Sequence, residues 1–280
     1  MAAVEVLRYA AFATSPAGGN PAGVVLDAAG LSDGEMLRIA AEVGYSETAF
    51  LVAKGGGRFG VRYFSPRVEV PFCGHATIAS AVAYADRHGV GVLVFDTAAG
   101  PVEVGTAVTD VGVVATLTSV PPRVGPVSAG ALAELVAALG WRPEDLDWGL
   151  PPRVGYAGAF HPIVAAGSRA RLAALDYDFD RLAALMAGEG WTTVQLVWRE
   201  DAATFHARDP FPPGGVVEDP ATGAAAAALG GYLRALGLVS PPARVTVYQG
   251  ADLGRPGVLT VDIPPDGGIA VSGPAVAMAG

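Results

Sequence analysis

From Glu69 to His88 the chain reads E-V-P-F-C-G-H-A-T-I-A-S-A-V-A-Y-A-D-R-H, and the helix this predicts is apolar nearly all round: Ala76, Ile78, Ala79, Ala81, Val82, Ala83 and Ala85 surround its axis. Such a helix belongs inside a domain, so the rest of the chain has to supply a shell for it. Gly74 permits the sharp turn from a short strand into the helix. The first N–H groups, around Gly74 to Thr77, then open toward whatever lies at that end, which suits a carboxylate or phosphate. Cys73 and His75 stand at this mouth.

A second stretch, Val217 to Leu236, repeats the design as V-E-D-P-A-T-G-A-A-A-A-A-L-G-G-Y-L-R-A-L. An acidic residue, a turn built on Pro220 and Gly223 and another small-residue helix follow in the same order. The echo, about half a chain away, predicts two copies of one α/β fold, each with a buried helix whose N-terminus faces a shared cleft. Alanine-rich helices are common, however, and the alanine and glycine bias is equally what a GC-rich genome produces.

Between these stretches the pattern alternates strands and helices. Val4 to Phe12 and Gly23 to Leu26 read as strands. Ser32 and Glu35 form a capping-box pattern before a helix with Met36, Ile39, Ala40 and Val43 on one stripe, closed by Gly44. Strands are expected at Tyr45 to Val52, Phe59 to Phe64, Val92 to Asp96, Val102 to Val104 and Val111 to Leu117. Thr118 to Gly130 is the linker candidate. Beyond it come helices at Ala129 to Leu139 and Asp180 to Met186, and strands at Trp191 to Trp198, Ala203 to Arg208, Arg244 to Tyr248 and Val258 to Ile263. The four tryptophans, Trp141, Trp148, Trp191 and Trp198, read as core or interface anchors.

Eighteen basic against 27 acidic residues give a formal charge of −9, which disfavours nucleic acid and anionic membrane surfaces as partners. No run of 18 apolar residues and no signal-peptide pattern occurs, so a cytoplasmic protein is expected. Cys73 is the one cysteine, and His75, His88, His161 and His206 lack ligand spacing, so no metal site is expected. Neither G-x-x-x-x-G-K-[ST] nor a G-x-G-x-x-G after a strand is present, and no cofactor is implied. Lys54, the one lysine, precedes Gly55, Gly56 and Gly57 in an expected hairpin loop, too wet for Schiff-base chemistry.

Glu47 breaks the apolar pattern of its strand. It is either an outward-facing residue or a partly buried carboxyl whose raised pKa lets it give and take a proton near neutrality. Asp219 before Pro220 is a common turn or cap choice, and His75 could cap, pack or relay a proton. Cys73 beside a helix N-terminus is either a small hydrophobe or a lowered-pKa thiol.

Five runs in order, G-N-P-A-G-V-V at Gly19 to Val25, Y-S-E-T-A-F at Tyr45 to Phe50, E-V-P-F-C-G-H-A-T at Glu69 to Thr77, E-D-P-A-T-G-A-A at Glu218 to Ala225 and Q-G-A-D-L-G-R-P at Gln249 to Pro256, resemble the phenazine-biosynthesis PhzF-like isomerase family. The resemblance implies a diaminopimelate epimerase-like fold of the α/β (α+β) class. That fold has two similar domains, each a rolled, barrel-like mixed β-sheet around a central α-helix, with the active site between them. The domains would be residues 1–119 and 120–266, with a last strand at about 267–280 able to return to the first. Matched motif to motif, Glu47 would be the general acid/base, with His75 and Asp219 completing the catalytic set. Ser46, Cys73, Gly74, Thr222, Gly223 and Ala224 would contact a small carboxylated substrate, and a homodimer is implied.

Two departures matter. Many relatives carry T-G-S-A where this chain has Thr222-Gly223-Ala224-Ala225, so Ala224 offers only its backbone. C-G-H at Cys73 resembles the first thiol site of two-cysteine epimerases, but Pro220-Ala221-Thr222-Gly223 supplies no second thiol. The expected activity is a cofactor-independent proton and double-bond shift, of the kind used in antibiotic or phenazine-like biosynthesis. The alternatives are an amino-acid epimerase or racemase and a non-catalytic small-molecule-binding homologue.

Overall fold

In the computed structural model, which describes residues 4–279, the chain divides into two units. One runs to Thr118 and resumes at Ser272, and the other is Ser119–Val271. The first contains β1 (Leu7–Ala11), β2 (Asn20–Val25), α1 (Asp33–Val43), β3 (Glu47–Gly55), β4 (Arg58–Phe64), β5 (Glu69–Val70), α2 (Gly74–His88), β6 (Val92–Thr97), β7 (Gly100–Thr109) and β8 (Gly112–Thr118). Ser32 caps α1 with the reciprocal Glu35 bond, and Gly44 ends it at φ 73°, in the left-handed region glycine tolerates.

The strands of this unit pair in the order β1–β2–β3–β4–β6–β7–β8. β17 (Ala270–Ala277) joins β8 and pairs antiparallel with β1, which closes the ring into an eight-stranded barrel. Such a barrel has little room inside. Helix α2 occupies it against β1, β2, β3, β7 and β8, and its residues from His75 to Ala83 are all buried. Alanine is what keeps the helix thin enough, while Ile78 and Val82 each contribute about 1.5–3 kcal/mol of burial. The amphipathic α1 covers the outside, where Met36, Ile39 and Ala40 pack with Val25, Phe50 and Phe64.

The second unit contains β9 (Arg123–Pro126), α3 (Ala129–Ala138), β10 (Arg153–Tyr156), β11 (Phe160–Ala165), α4 (Arg169–Ala173), α5 (Phe179–Glu189), β12 (Gln195–Arg199), β13 (Thr204–Pro210), β14 (Glu218–Asp219), α6 (Gly223–Ala235), β15 (Ala243–Gln249) and β16 (Gly257–Ile263). Its pairing order is β9–β10–β11–β12–β13–β15–β16, with β14 on β13. From β10 the pairs run antiparallel, parallel, antiparallel, parallel, antiparallel, the series that β1 to β7 follow in the first unit. Helix α6 touches both β9 and β16, at opposite ends of that order, so the sheet rolls around it.

The small residues of α6 have a packing reason beyond genome composition. A Cβ on Gly230 would lie 2.8 Å from Ile269 and one on Gly231 would lie 2.5 Å from Pro122. Outside the roll, Leu135, Leu139, Trp141, Leu182, Met186 and Trp191 build a second core from α3, α5 and their neighbours.

Several expectations need correction. The 118–130 stretch is not a plain linker, because β9 lies within it and pairs Val124 with Gly155. The strand expected to stop at Arg208 continues through Asp209 to Pro210. β10, β11 and α4 were not foreseen. Trp148 is not part of the core: it is 56% exposed, and its indole N–H donates to the Pro143 carbonyl. Among the described residues no helix is long and apolar enough to cross a membrane.

Candidate functional site

Glu47 opens β3, opposite Ala22 of the parallel strand β2. Cys73 is the N-cap residue of α2, in extended conformation, with its side chain turned away from capping. Its carbonyl accepts from the Thr77 hydroxyl at 2.7 Å, and Thr77 in turn accepts from the buried Tyr63 hydroxyl at 2.6 Å. This chain of bonds fixes the entry into the helix.

The turn brings Cys73 and His75 onto Glu47. Glu47 Oε2 lies 3.4 Å from His75 Nε2 and 3.5 Å from Cys73 Sγ, and Cys73 Sγ lies 3.4 Å from His75 Nδ1. Ser46 Oγ is 3.3 Å from His75 Nε2. On the other side of the ring the Asn20 amide lies 3.1 Å from Nδ1. With that amide donating, Nδ1 accepts and the ring proton sits on Nε2, aimed at Ser46 and Glu47. The Glu47 side chain is 14% exposed. Burial pushes its carboxyl above the usual range, partly offset by hydrogen bonds from Ser46 and Cys73. A raised carboxyl beside an imidazole N–H can take up a proton and give it back.

Ser46, Glu47, Cys73, Gly74 and His75 therefore form one cluster in the first unit. Asn20 belongs to it and was missed as a site residue. Its signal was an asparagine heading an apolar strand inside the G-N-P motif. The donor atoms of Glu47, Cys73 and His75 all lie within 4.8 Å of one another, a set that could ligate a divalent cation. Ligand spacing along the sequence did not anticipate it, because Glu47 comes from a different strand. Lys54 is committed to Asp96 at 2.8 Å, at the end of β3.

Asp219, Thr222, Gly223 and Ala224 gather in the second unit. Asp219 lies on β14, and the N-cap residue of α6 is Thr222, so Asp219 is not the cap. The Thr222 hydroxyl donates to Asp219 Oδ2 at 2.6 Å. Gln249, unassigned in the sequence although it heads the Q-G-A-D motif, locks this turn. Its amide donates to the Asp219 carbonyl at 2.8 Å and to Thr222 Oγ1 at 3.0 Å, while its oxygen accepts from the Thr222 N–H at 3.0 Å. Glu218 is held by Arg208.

Comparison with known proteins agrees with these motifs. An uncharacterized isomerase of Deinococcus radiodurans is 36% identical over 263 residues, 91% of this chain and 85% of that one. The trans-2,3-dihydro-3-hydroxyanthranilate isomerase of Pseudomonas chlororaphis is 32% identical over 255 residues, 89% of this chain and 86% of that one. The crystal structure of a PhzF-family phenazine biosynthesis protein from Bacillus anthracis superposes with a TM-score of 0.88 at 26% identity, covering 98% of each chain. Residues 9–280 match the PhzC-PhzF family, described as phenazine biosynthesis-like protein. With that match and with relatives that are isomerases along most of its length, the chain belongs to the phenazine biosynthesis-like (PhzC-PhzF) family.

Proposed function

We propose that the protein is a cofactor-independent isomerase that shifts a proton, and with it a double bond, within a small carboxylated unsaturated or cyclic metabolite. The observation that carries this reading is the buried Glu47 carboxyl, raised by its surroundings and in contact with Cys73 and His75. Glu47 takes the proton from an activated C–H, the electron pair of that bond moves into the adjacent unsaturated system, and the proton returns to the carbon one allylic position away. The His75 Nε2–H orients the carboxylate, and Asp219 contributes on the strength of its motif. Ser46, Cys73, Gly74, Thr222, Gly223 and Ala224 contact the substrate, whose carboxylate suits the N–H groups of a helix N-terminus.

The relative from Pseudomonas chlororaphis makes trans-2,3-dihydro-3-hydroxyanthranilate the first compound to assay. In deuterated water, the product should carry one deuterium on the receiving carbon, to the extent that Glu47 exchanges with solvent between removal and return. Label at the carbon that loses its proton, with the double bond unmoved, would instead indicate epimerisation.

Cys73 favours that second reading by its place beside Glu47, but inversion with two thiols needs a second cysteine and the chain has one. Cys73→Ala is accordingly expected to keep kcat within about tenfold of wild type. A loss beyond roughly a hundredfold in a folded variant, the scale of removing a proton-transfer group, would revive a thiol mechanism.

A further inference from the structure

Asp209 and Asp219 lie directly opposite each other where β13 pairs antiparallel with β14. Opposed residues on one face of such a pair have Cβ atoms about 4.5–5.5 Å apart, and like charges there repel. Both acids are buried, Asp209 fully. Among the described residues, the groups that act on the Asp209 carboxyl are the acids Asp219 and Glu218 and the hydroxyls of Thr193 and Thr222. Arg208, the preceding residue on β13, is bound to Glu218 through Nε at 3.0 Å and Nη2 at 2.5 Å. The Thr193 hydroxyl donates to Asp209 Oδ1 at 3.0 Å. The Gln195 amide end lies 2.8 Å from Asp209 Oδ1 and 3.0 Å from Oδ2: an ionised acid calls for its NH₂ to be turned there to donate, a neutral acid for its oxygen, which accepts the acid's own proton. His161 reaches the network only through Thr193, at 2.9 Å. Since Thr193 spends its proton on Asp209, it accepts from His161 Nδ1–H. Burial holds His161 down to about 4, so the ring is neutral at pH 7.

We propose that Asp209 is a positioning residue that remains a neutral carboxylic acid, so that it and Asp219 together carry one negative charge, placed on Asp219. Two carboxylates in one buried site cannot both ionise cheaply. The proton goes to Asp209 because it is the more deeply buried of the two. Burial first, and the charges of Asp219 and Glu218 after it, hold the Asp209 carboxyl well above the usual range, against the lowering effect of the Thr193 and Thr222 hydroxyls. For the isomerase this means one negative charge on β14 and its partner strand where the sequence would give two, which spares an anionic substrate a repulsion. That consequence rests on the proposed function; the shared proton does not.

The test uses the whole chain labelled with ¹³C at aspartate carboxyls only, so that Glu47 is silent. At pH 7 the infrared spectrum should contain the isotope-shifted carbonyl stretch of a neutral carboxylic acid, and Asp209→Asn should remove it. Stability gives a second readout. Between the ordinary aspartate value, about 3.9, and the raised native value, the folded protein holds a proton that the unfolded chain has lost. Wild-type stability therefore falls as pH rises through that window, by up to tenfold in the folding constant per pH unit. Asp209→Asn lacks this loss, so its Tm should exceed that of wild type at pH 7 and depend less on pH. With the substrate in hand, wild type should show a rise in KM on the alkaline side that Asp209→Asn lacks, with kcat near neutrality little changed.

Absence of the acid band in wild type overturns the proposal even if the variant fails to fold. A band that persists in Asp209→Asn, or a Tm lowered at pH 7, overturns it as well. A band assigned to Asp209 alongside undiminished turnover by Glu47→Gln would leave the shared proton standing and take Glu47 out of the proposed mechanism.

Discussion

Glu47→Gln is expected to lower turnover by about 10² to 10⁴, the usual contribution of a general acid–base group, while substrate binding changes little. Glutamine keeps the size of the side chain and can still meet the His75 and Ser46 groups, but it has no proton to exchange. An ordinary glutamate, with a pKa of about 4.3, is a poor acid at neutral pH. Burial beside α2 corrects that by raising the carboxyl. If the ionised form starts the cycle, kcat/KM should rise with pH through this raised value, above the range of an exposed glutamate. The same shift carries a stability consequence. The folded state holds the Glu47 proton over a window where the unfolded chain does not, so stability declines as pH rises through it, and Glu47→Gln should melt higher than wild type at pH 7. Turnover equal to wild type would take Glu47 out of the mechanism.

Arg208→Met should cost about 3–5 kcal/mol, the scale of leaving a buried charge without its partner. The side chains of Arg208 and Glu218 are 10% and 1% exposed, so water cannot take over for either. Besides its two-pronged bond to Glu218, Arg208 donates to the carbonyl of Ala173 at 2.9 Å, and so ties β13 and β14 to the end of α4. Methionine fills much of the space and restores none of these bonds. Against a typical total of about 5–15 kcal/mol, this loss should be plain in urea unfolding. Adding Glu218→Gln to Arg208→Met should recover part of it, because the stranded charge is then gone. A single-variant loss below about 1 kcal/mol would mean that the pair is not buried as described.

What was legible in the sequence was what local chemistry writes down. The Ser32–Glu35 box, the Gly44 stop and the two small-residue helices could be read directly, and Glu47 stood out as a carboxyl in an apolar strand. The misses share a different cause. β11 is buried at five of its six positions, so it shows no alternation, and β10 has only four residues. Asp209-Pro210 has the look of a turn, yet the strand runs through it, and only the opposed β14 reveals an acid facing an acid. Asn20 and Gln249 were inside recognised motifs without roles. Each works by bonding a residue 27 to 55 positions away, which no window of sequence displays.

The return of β17 to the first barrel also sets an order of events. The whole of the second unit lies between β1 and β17 in the chain, so the ring around α2 cannot be sealed until that unit has been synthesised. Until then β1 and β8 each present an unpaired rim, a template for mispairing with other chains. Residues 119–271, by contrast, are continuous and can reach their fold before β17 docks on β1. Of the two units, the one that carries Glu47 is thus the later to mature during synthesis, which makes the interval before β17 docks the one in which a chaperone has most to protect.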